Sequence, residues 1–137
     1  MVRVFLDTSV LVRYFAADDE VKFEETKKFV ERVLNGEIIP YISSIVMLEL
    51  FYVLNSIYKL PKQKCIEVLE VVRGLRNCIL VEKTNFDRAM VYHKKYKVKL
   101  TDCVIATQIP KQASFVTYDK EFLKIKDLKA LDVVEFI

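Results

Sequence analysis

Short runs rich in β-branched and aromatic residues alternate with stretches of helical periodicity along the whole chain, and few architectures accommodate that alternation. Val2–Leu6, Ile38–Ile42, Asn77–Val81, Ala113–Thr117 and Val133–Phe136 read as strands. Thr8–Phe15 reads as a helix capped by Asp7 and ending near Ala17-Asp18-Asp19. Lys22–Asn35 is amphipathic, with Phe23, Phe29, Val30, Val33 and Leu34 at helical spacing and Asn35-Gly36 as its stop. Ser43 or Ser44 caps a helix that runs to about Tyr58, and Pro61 opens another with Cys65, Ile66, Leu69 and Val72 on one face. Further helices are expected from Asn85 to Lys97, from a Thr101 cap to Pro110, and briefly after Asp119. Strands that alternate with helices give a parallel sheet covered on both faces, a three-layer α/β/α fold. Two glycines and three prolines leave little room for long loops, and nothing resembles a linker, so residues 1–137 read as a single domain.

Four acids stand out against this frame. Asp7 closes the first strand, Glu49 interrupts Ile45-Val46-Met47-Leu48 and Leu50-Phe51-Tyr52-Val53-Leu54, Asp102 precedes Cys103-Val104-Ile105-Ala106, and Asp119 ends Ser114-Phe115-Val116-Thr117-Tyr118. An ionised carboxylate in apolar surroundings costs several kcal/mol unless it is paired, neutralised or bound to a metal. Arg3, in the strand that Asp7 closes, is the one Arg or Lys within these apolar runs, and one shared hard cation would satisfy all four acids. Helix capping accounts equally well for Asp7, Asp102 or Asp119 taken singly. Glu49 has no such explanation, because its neighbours three and four residues away are Ile45, Val46, Tyr52 and Val53. In parallel sheets ligands bind beyond the carboxyl ends of the strands, near a topological switch point, where Asp7 and Asp119 both fall.

Charge and cysteines narrow the setting. Lys and Arg number 22 against 19 Asp and Glu, a net charge of +3. That excess is a weak pointer to a polyanionic partner, strengthened if four of the acids share one pocket. Lys94, Lys95, Lys97 and Lys99 lead up to Asp102, and Lys111 and Lys120 flank the later blocks. Phosphate attraction would suit them, although a charge run is more often a solvated face. Cys65, Cys78 and Cys103 have neither a metal-ligand spacing nor an even count, which argues for a reducing compartment. No apolar stretch approaches the roughly 18 residues of a membrane span and no signal pattern opens the chain, so a cytoplasmic protein is expected. His93 lies in Tyr92-His93-Lys94-Lys95, on an expected solvated face. Asp18-Asp19-Glu20, Asp87, Glu121, Asp127 and Asp132 read as loop, turn or early-helix charges, and Glu82 as a strand end.

The blocks Asp7-Thr8-Ser9, Ser44 through Glu49 with Leu50, Thr101-Asp102 leading to Ile105-Ala106, and Thr117-Tyr118-Asp119-Lys120-Glu121-Phe122 resemble those of the PIN-domain nucleases. Among these, the short toxins of VapC type are the nearest pattern. The resemblance covers nearly the whole chain, with 42 positions from Asp7 to Glu49, 53 more to Asp102 and 17 more to Asp119. One departure is Ile109-Pro110-Lys111-Gln112-Ala113-Ser114, where the family has a small or glycine-containing link. The resemblance implies strand order 3-2-1-4-5 and cleavage of RNA dependent on Mg²⁺ or Mn²⁺, hard cations that favour carboxylate oxygens and water. It implies Asp7 and Asp102 as direct metal ligands, with Glu49 and Asp119 holding the ion's waters or a second ion. Ser9 and Thr117 are placed to hydrogen-bond these carboxylates, and turn formation explains either residue equally well. A toxin of this type further implies a protein antitoxin that obstructs the acidic pocket, and a homodimer.

Other chemistries fit less well. A haloacid-dehalogenase-type phosphatase needs a second acid two residues after the first, where this chain has Ser9. A response-regulator receiver needs an aspartate after a central strand, yet no Asp occurs between Asp19 and Asp87. A stand-alone RNA-processing nuclease would look the same at this level, whereas a non-catalytic nucleic-acid-binding module would be expected to have lost one of the four acids.

Overall fold

The computed structural model describes residues Met1–Ile137. Five parallel strands, β1 (Val2–Leu6), β2 (Ile38–Ser43), β3 (Ile79–Val81), β4 (Ser114–Val116) and β5 (Ala130–Leu131), form one sheet in the order β3-β2-β1-β4-β5. The chain travels in one direction from β1 to β3, then crosses to β4 on the far side of β1. Right-handed crossovers in both directions send the connecting helices to opposite faces. Before the reversal come α1 (Thr8–Ala16), α2 (Glu20–Leu34), α3 (Ser44–Tyr52) and α4 (Lys62–Arg73); α1 packs on α2 and α3, and α3 packs on α4. After it come α5 (Phe86–Tyr96) and α6 (Leu100–Thr107), which pack on each other. The result is the three-layer α/β/α arrangement.

The central strand is apolar on both sides because helices cover both, and Val4, Phe5 and Leu6 are buried. Leu6 pairs with Val116, so β1 and β4 end side by side at the switch point. Phe5 lies 6.1 Å from Phe115, which meets Phe122 edge-on at 4.8 Å. These rings tie the two strands together, and truncating a buried Phe costs about 3–5 kcal/mol. The segments that follow β1 and β4 are thereby held against each other.

Two expectations require correction. Val133–Phe136 is a single 3₁₀ turn, and the fifth strand is Ala130–Leu131. Asp132 accepts from the Val134 N–H while Glu135 accepts from the Asp132 N–H, a reciprocal cap that starts a helical turn and buries Val133 and Phe136. Asp-x-x-Glu was the overlooked signal. Thr101 does not cap α6: that position falls to Lys99, whose side chain makes no cap bond, and Asp102 sits in the first turn. Smaller shifts occur elsewhere. Asp19 caps α2, so Glu20 is helical rather than part of a loop. The helix from Ser44 is capped by Ser43 and changes pitch after Tyr52, finishing as a π turn over Val53–Ile57. Asn35-Gly36 stops α2 as expected, with Gly36 at φ 78°.

Candidate active site

Asp7, Glu49, Asp102 and Asp119 line one cavity of about 760 Å³ at the carboxyl ends of β1 and β4. Each comes from a different element. Asp7 follows β1 and caps α1, Glu49 lies in α3, Asp102 opens α6, and Asp119 caps the 3₁₀ turn Lys120–Lys124.

Asp7 is the most firmly positioned. The hydroxyls of Ser9 and Thr117 each donate to its Oδ2 at 2.7 Å, and the Ser9 N–H reaches the same oxygen at 3.4 Å. Its own N–H donates to Val116 O at 3.1 Å, continuing the β1–β4 ladder by one residue. Ser9 and Thr117 also accept from the Tyr118 and Asp119 N–H groups at 3.0 and 2.9 Å. Both roles left open by the sequence, carboxylate holding and turn formation, are therefore filled by the same two hydroxyls. Burial raises the Asp7 pKa; the Thr117 and Ser9 hydrogen bonds oppose that shift and the charge of Glu49 adds to it.

Asp102 is held differently. Its side chain is only 4% exposed, and its nearest cation is the Lys99 ammonium at 3.9 Å. Burial drives its pKa up to about 7; Lys99 lowers it, while Asp7, Glu49 and Asp119 raise it again. Lys99 reaches Glu49 as well, at 3.6 Å. Burial disfavours the charged ammonium, but Asp102, Glu49 and Asp119 together outweigh that effect and raise its pKa. Within its own helix Glu49 has no counter-charge, as the sequence indicates; folding supplies one from the start of α6. Lys99 is the site member that sequence reasoning placed on the outside. The signal was present, since a Lys three positions before an Asp at a helix start shares a turn with it.

The remaining acids lie elsewhere. Asp18 accepts from Arg13 and the Tyr58 hydroxyl, Asp127 accepts from Tyr92, and Glu121 pairs with Lys124. Glu82 accepts from both the N–H and hydroxyl of Ser44, tying the end of β3 to the start of α3. His93 is exposed, with its Nδ1 2.7 Å from Val98 O.

Four carboxylates line the cavity with three cations, Arg13, Lys22 and Lys99, of which only Lys99 pairs with any of the four acids, Arg13 being paired with Asp18 outside the cavity. Thr8 Oγ1, buried beside Asp7, has no hydrogen-bond partner. As they stand, no three acidic side chains converge on a common point, and Lys99 stands among them. The donor set is all oxygen, which suits a small hard cation such as Mg²⁺ or Mn²⁺. A cation would relieve the charge that raises Asp102, so the residues fit such an ion in chemistry, and binding it requires the carboxylates to close in.

These features define the class: a parallel α/β domain with four acids lining one cavity at its switch point, where such domains bind their ligands. The chain belongs to the PIN domain family, whose model matches residues 4–128, and the nuclease character of that family agrees with this class. No curated protein matches the chain in sequence. Among solved structures it is similar to PAE2754 from Pyrobaculum aerophilum, at 17% identity and TM-score 0.67, over 98% of this chain and 93% of that one. DNA-bound VapBC from Salmonella typhimurium matches at 19% identity and TM-score 0.64, over 97% and 99%. VapBC2 from Rickettsia felis, bound to a promoter DNA fragment, matches at 18% identity and TM-score 0.62, over 95% and 98%. At these identities the likeness establishes the fold, which is that of VapC-like PIN proteins.

Proposed function

We propose that this protein is an endoribonuclease dependent on Mg²⁺ or Mn²⁺, acting in the cytoplasm as the toxin of a toxin–antitoxin pair. The observation that carries the reading is the convergence of Asp7, Glu49, Asp102 and Asp119 from four elements on one cavity. Asp7 and Asp102 would hold the ion directly, with Glu49 and Asp119 acting through its waters or a second ion. When bound, the ion supplies an activated water and neutralises charge on the phosphoryl group. The three donors on Asp7 Oδ2 fix that carboxylate's orientation before any ion arrives. Glu49 and Asp119 can orient a water by accepting hydrogen bonds from it. Lys99 offsets part of the negative charge of Glu49 and Asp102 meanwhile and is free to turn to a substrate phosphate, its side chain being 63% exposed.

The toxin reading is supported by the shared fold with the VapBC complexes. A cognate antitoxin would block the acidic cavity. The apolar face of α3 rims that cavity and leaves Leu48 and Tyr52 exposed at 65% and 63%, which suits a homodimer. A stand-alone processing nuclease would use the same chemistry.

The test is cleavage of single-stranded RNA by the purified protein, abolished by EDTA and restored by Mg²⁺ or Mn²⁺. Products should carry a 5′-phosphate and a 3′-hydroxyl, and a 2′-deoxy group at the scissile position should leave cleavage intact. A 2′,3′-cyclic phosphate product would overturn the mechanism.

A further inference from the structure

A second cavity, of about 950 Å³, opens at the other end of the sheet. The acids follow β1 and β4, whereas this cavity is bounded by the segments that precede β4 and β5, together with the link after β3 and one face of α5. Four cations line it, each from a different segment: Lys83 before α5, Arg88 on α5, Lys111 between α6 and β4, and Lys129 before β5. All four are exposed, and the chain's ion pairs use other cations. The one acid lining the cavity, Asp127, accepts from the Tyr92 hydroxyl at 3.3 Å. The local excess is thus three positive charges, as large as the net charge of the entire chain.

These cations are not a run along one helix, which solvent alone would explain. Folding gathers them around a concave surface with an apolar floor of half-buried Leu128 and Leu131 over the buried Phe115. Gln108 lines the same cavity and is 5% exposed; its Nε2 donates to Thr84 Oγ1 at 2.8 Å, while its Oε1 is buried with no partner. Like charges converging without counter-ions cost stability unless an anion is expected there. The Ile109–Ser114 link shapes one wall, closed by the Ala113 N–H donating to Pro110 O at 3.0 Å.

We infer that this cavity docks one stretch of single-stranded nucleic acid, with backbone phosphate on the cationic rim and a base against the apolar floor. A cationic groove combined with an apolar or aromatic surface is the usual means of holding a single strand. Taking the strand to be the RNA substrate rests on the nuclease reading above. The two cavities share no lining residue, so the docking site is separate from the acidic one.

The experiment measures binding of single-stranded RNA of about 30 nucleotides by fluorescence anisotropy in EDTA, across a salt series. The variant carries Lys83→Gln, Arg88→Gln, Lys111→Gln and Lys129→Gln together. Each phosphate contact contributes about 0.7 to the slope of log affinity against log salt for a single strand, so the slope should fall by roughly 2.8 and affinity at least tenfold. Lys83→Arg, Lys111→Arg and Lys129→Arg together should retain both. Should the quadruple variant fold poorly, Lys111→Gln alone should lower the slope by about 0.7. Unchanged affinity and slope in a folded variant would overturn the inference. So would adenosine monophosphate perturbing the cavity's amide resonances while strand affinity ignores the substitutions. The readout needs no cleavage, so a protein that never cuts RNA can still pass it; one that cuts but binds regardless of these cations keeps the nuclease reading alone.

Discussion

A carboxylate as buried as Asp102, with its nearest cation 3.9 Å away and three further acids around the same cavity, keeps its proton to about pH 7. In the unfolded chain the same group ionises near 3.8. Between those values the folded state binds more protons than the unfolded one, so this group's contribution to stability falls as pH rises from about 4 to about 7 and is level above that. Asp102→Asn removes the titration while keeping the shape. In EDTA the variant should therefore melt near wild type at pH 4 and above it at pH 8, with a gap on the order of a few kcal/mol. Thermal melts across that range decide it: a gap that does not widen with pH would mean the charge is relieved in the folded state. Asp7 strains the fold in the same direction, but three donors on one oxygen offset part of its cost.

Helix α3 shows how one element serves two surfaces. Val46 and Leu50 face the core and are fully buried, Glu49 faces the acidic cavity, and Leu48 and Tyr52 stand out in solvent. Its residues are apolar almost all round, a composition that a wholly intramolecular core would also explain, yet folding leaves this face uncovered. If a second copy covers it, Leu48→Glu should convert a dimer to a monomer while changing monomer stability by less than about 0.5 kcal/mol, because the site is exposed. Sedimentation equilibrium of both proteins makes the comparison. A wild type that stays monomeric at high concentration would remove the dimer from the proposed function.

For the molecule as a whole, metal binding should appear as stability. A ligand at about a hundred times its dissociation constant adds roughly 2.7 kcal/mol to a folded state it binds selectively. For a chain of this length that is a rise of roughly 8–11 °C in melting temperature. Wild type should show it with Mg²⁺ and Asp102→Asn should lose most of it, while Asp18→Asn, at an acid outside the cavity, should respond like wild type. An equal response in all three proteins would place the ion somewhere other than among the four acids.

Much of this architecture was legible along the chain because periodicity is a local property. Val2–Leu6 is a strand and Asp7 the cap of the helix after it on the strength of neighbouring residues alone, and a parallel sheet follows from the alternation of elements. The four acids could be singled out because a carboxylate inside an apolar run is anomalous wherever the run ends up. The strand order entered through resemblance to a family, and the fold has it. Other features depended on distances between residues far apart in sequence, which no local pattern encodes. Lys99 looked like part of a solvated basic run, and packing of α3 near the start of α6 made it the partner of Glu49. Thr117 reached Asp7 across 110 positions because β1 and β4 end in register. Lys83, Arg88, Lys111 and Lys129 are unremarkable singly, and only the fold puts them around one cavity. Sequence by itself determined most of the strands and helices, the fifth strand excepted, and which residues were too costly to bury without a purpose. Tertiary structure decided which charges meet, because an ion pair or a shared cavity depends on separation in space, and that separation exists only once the layers have packed.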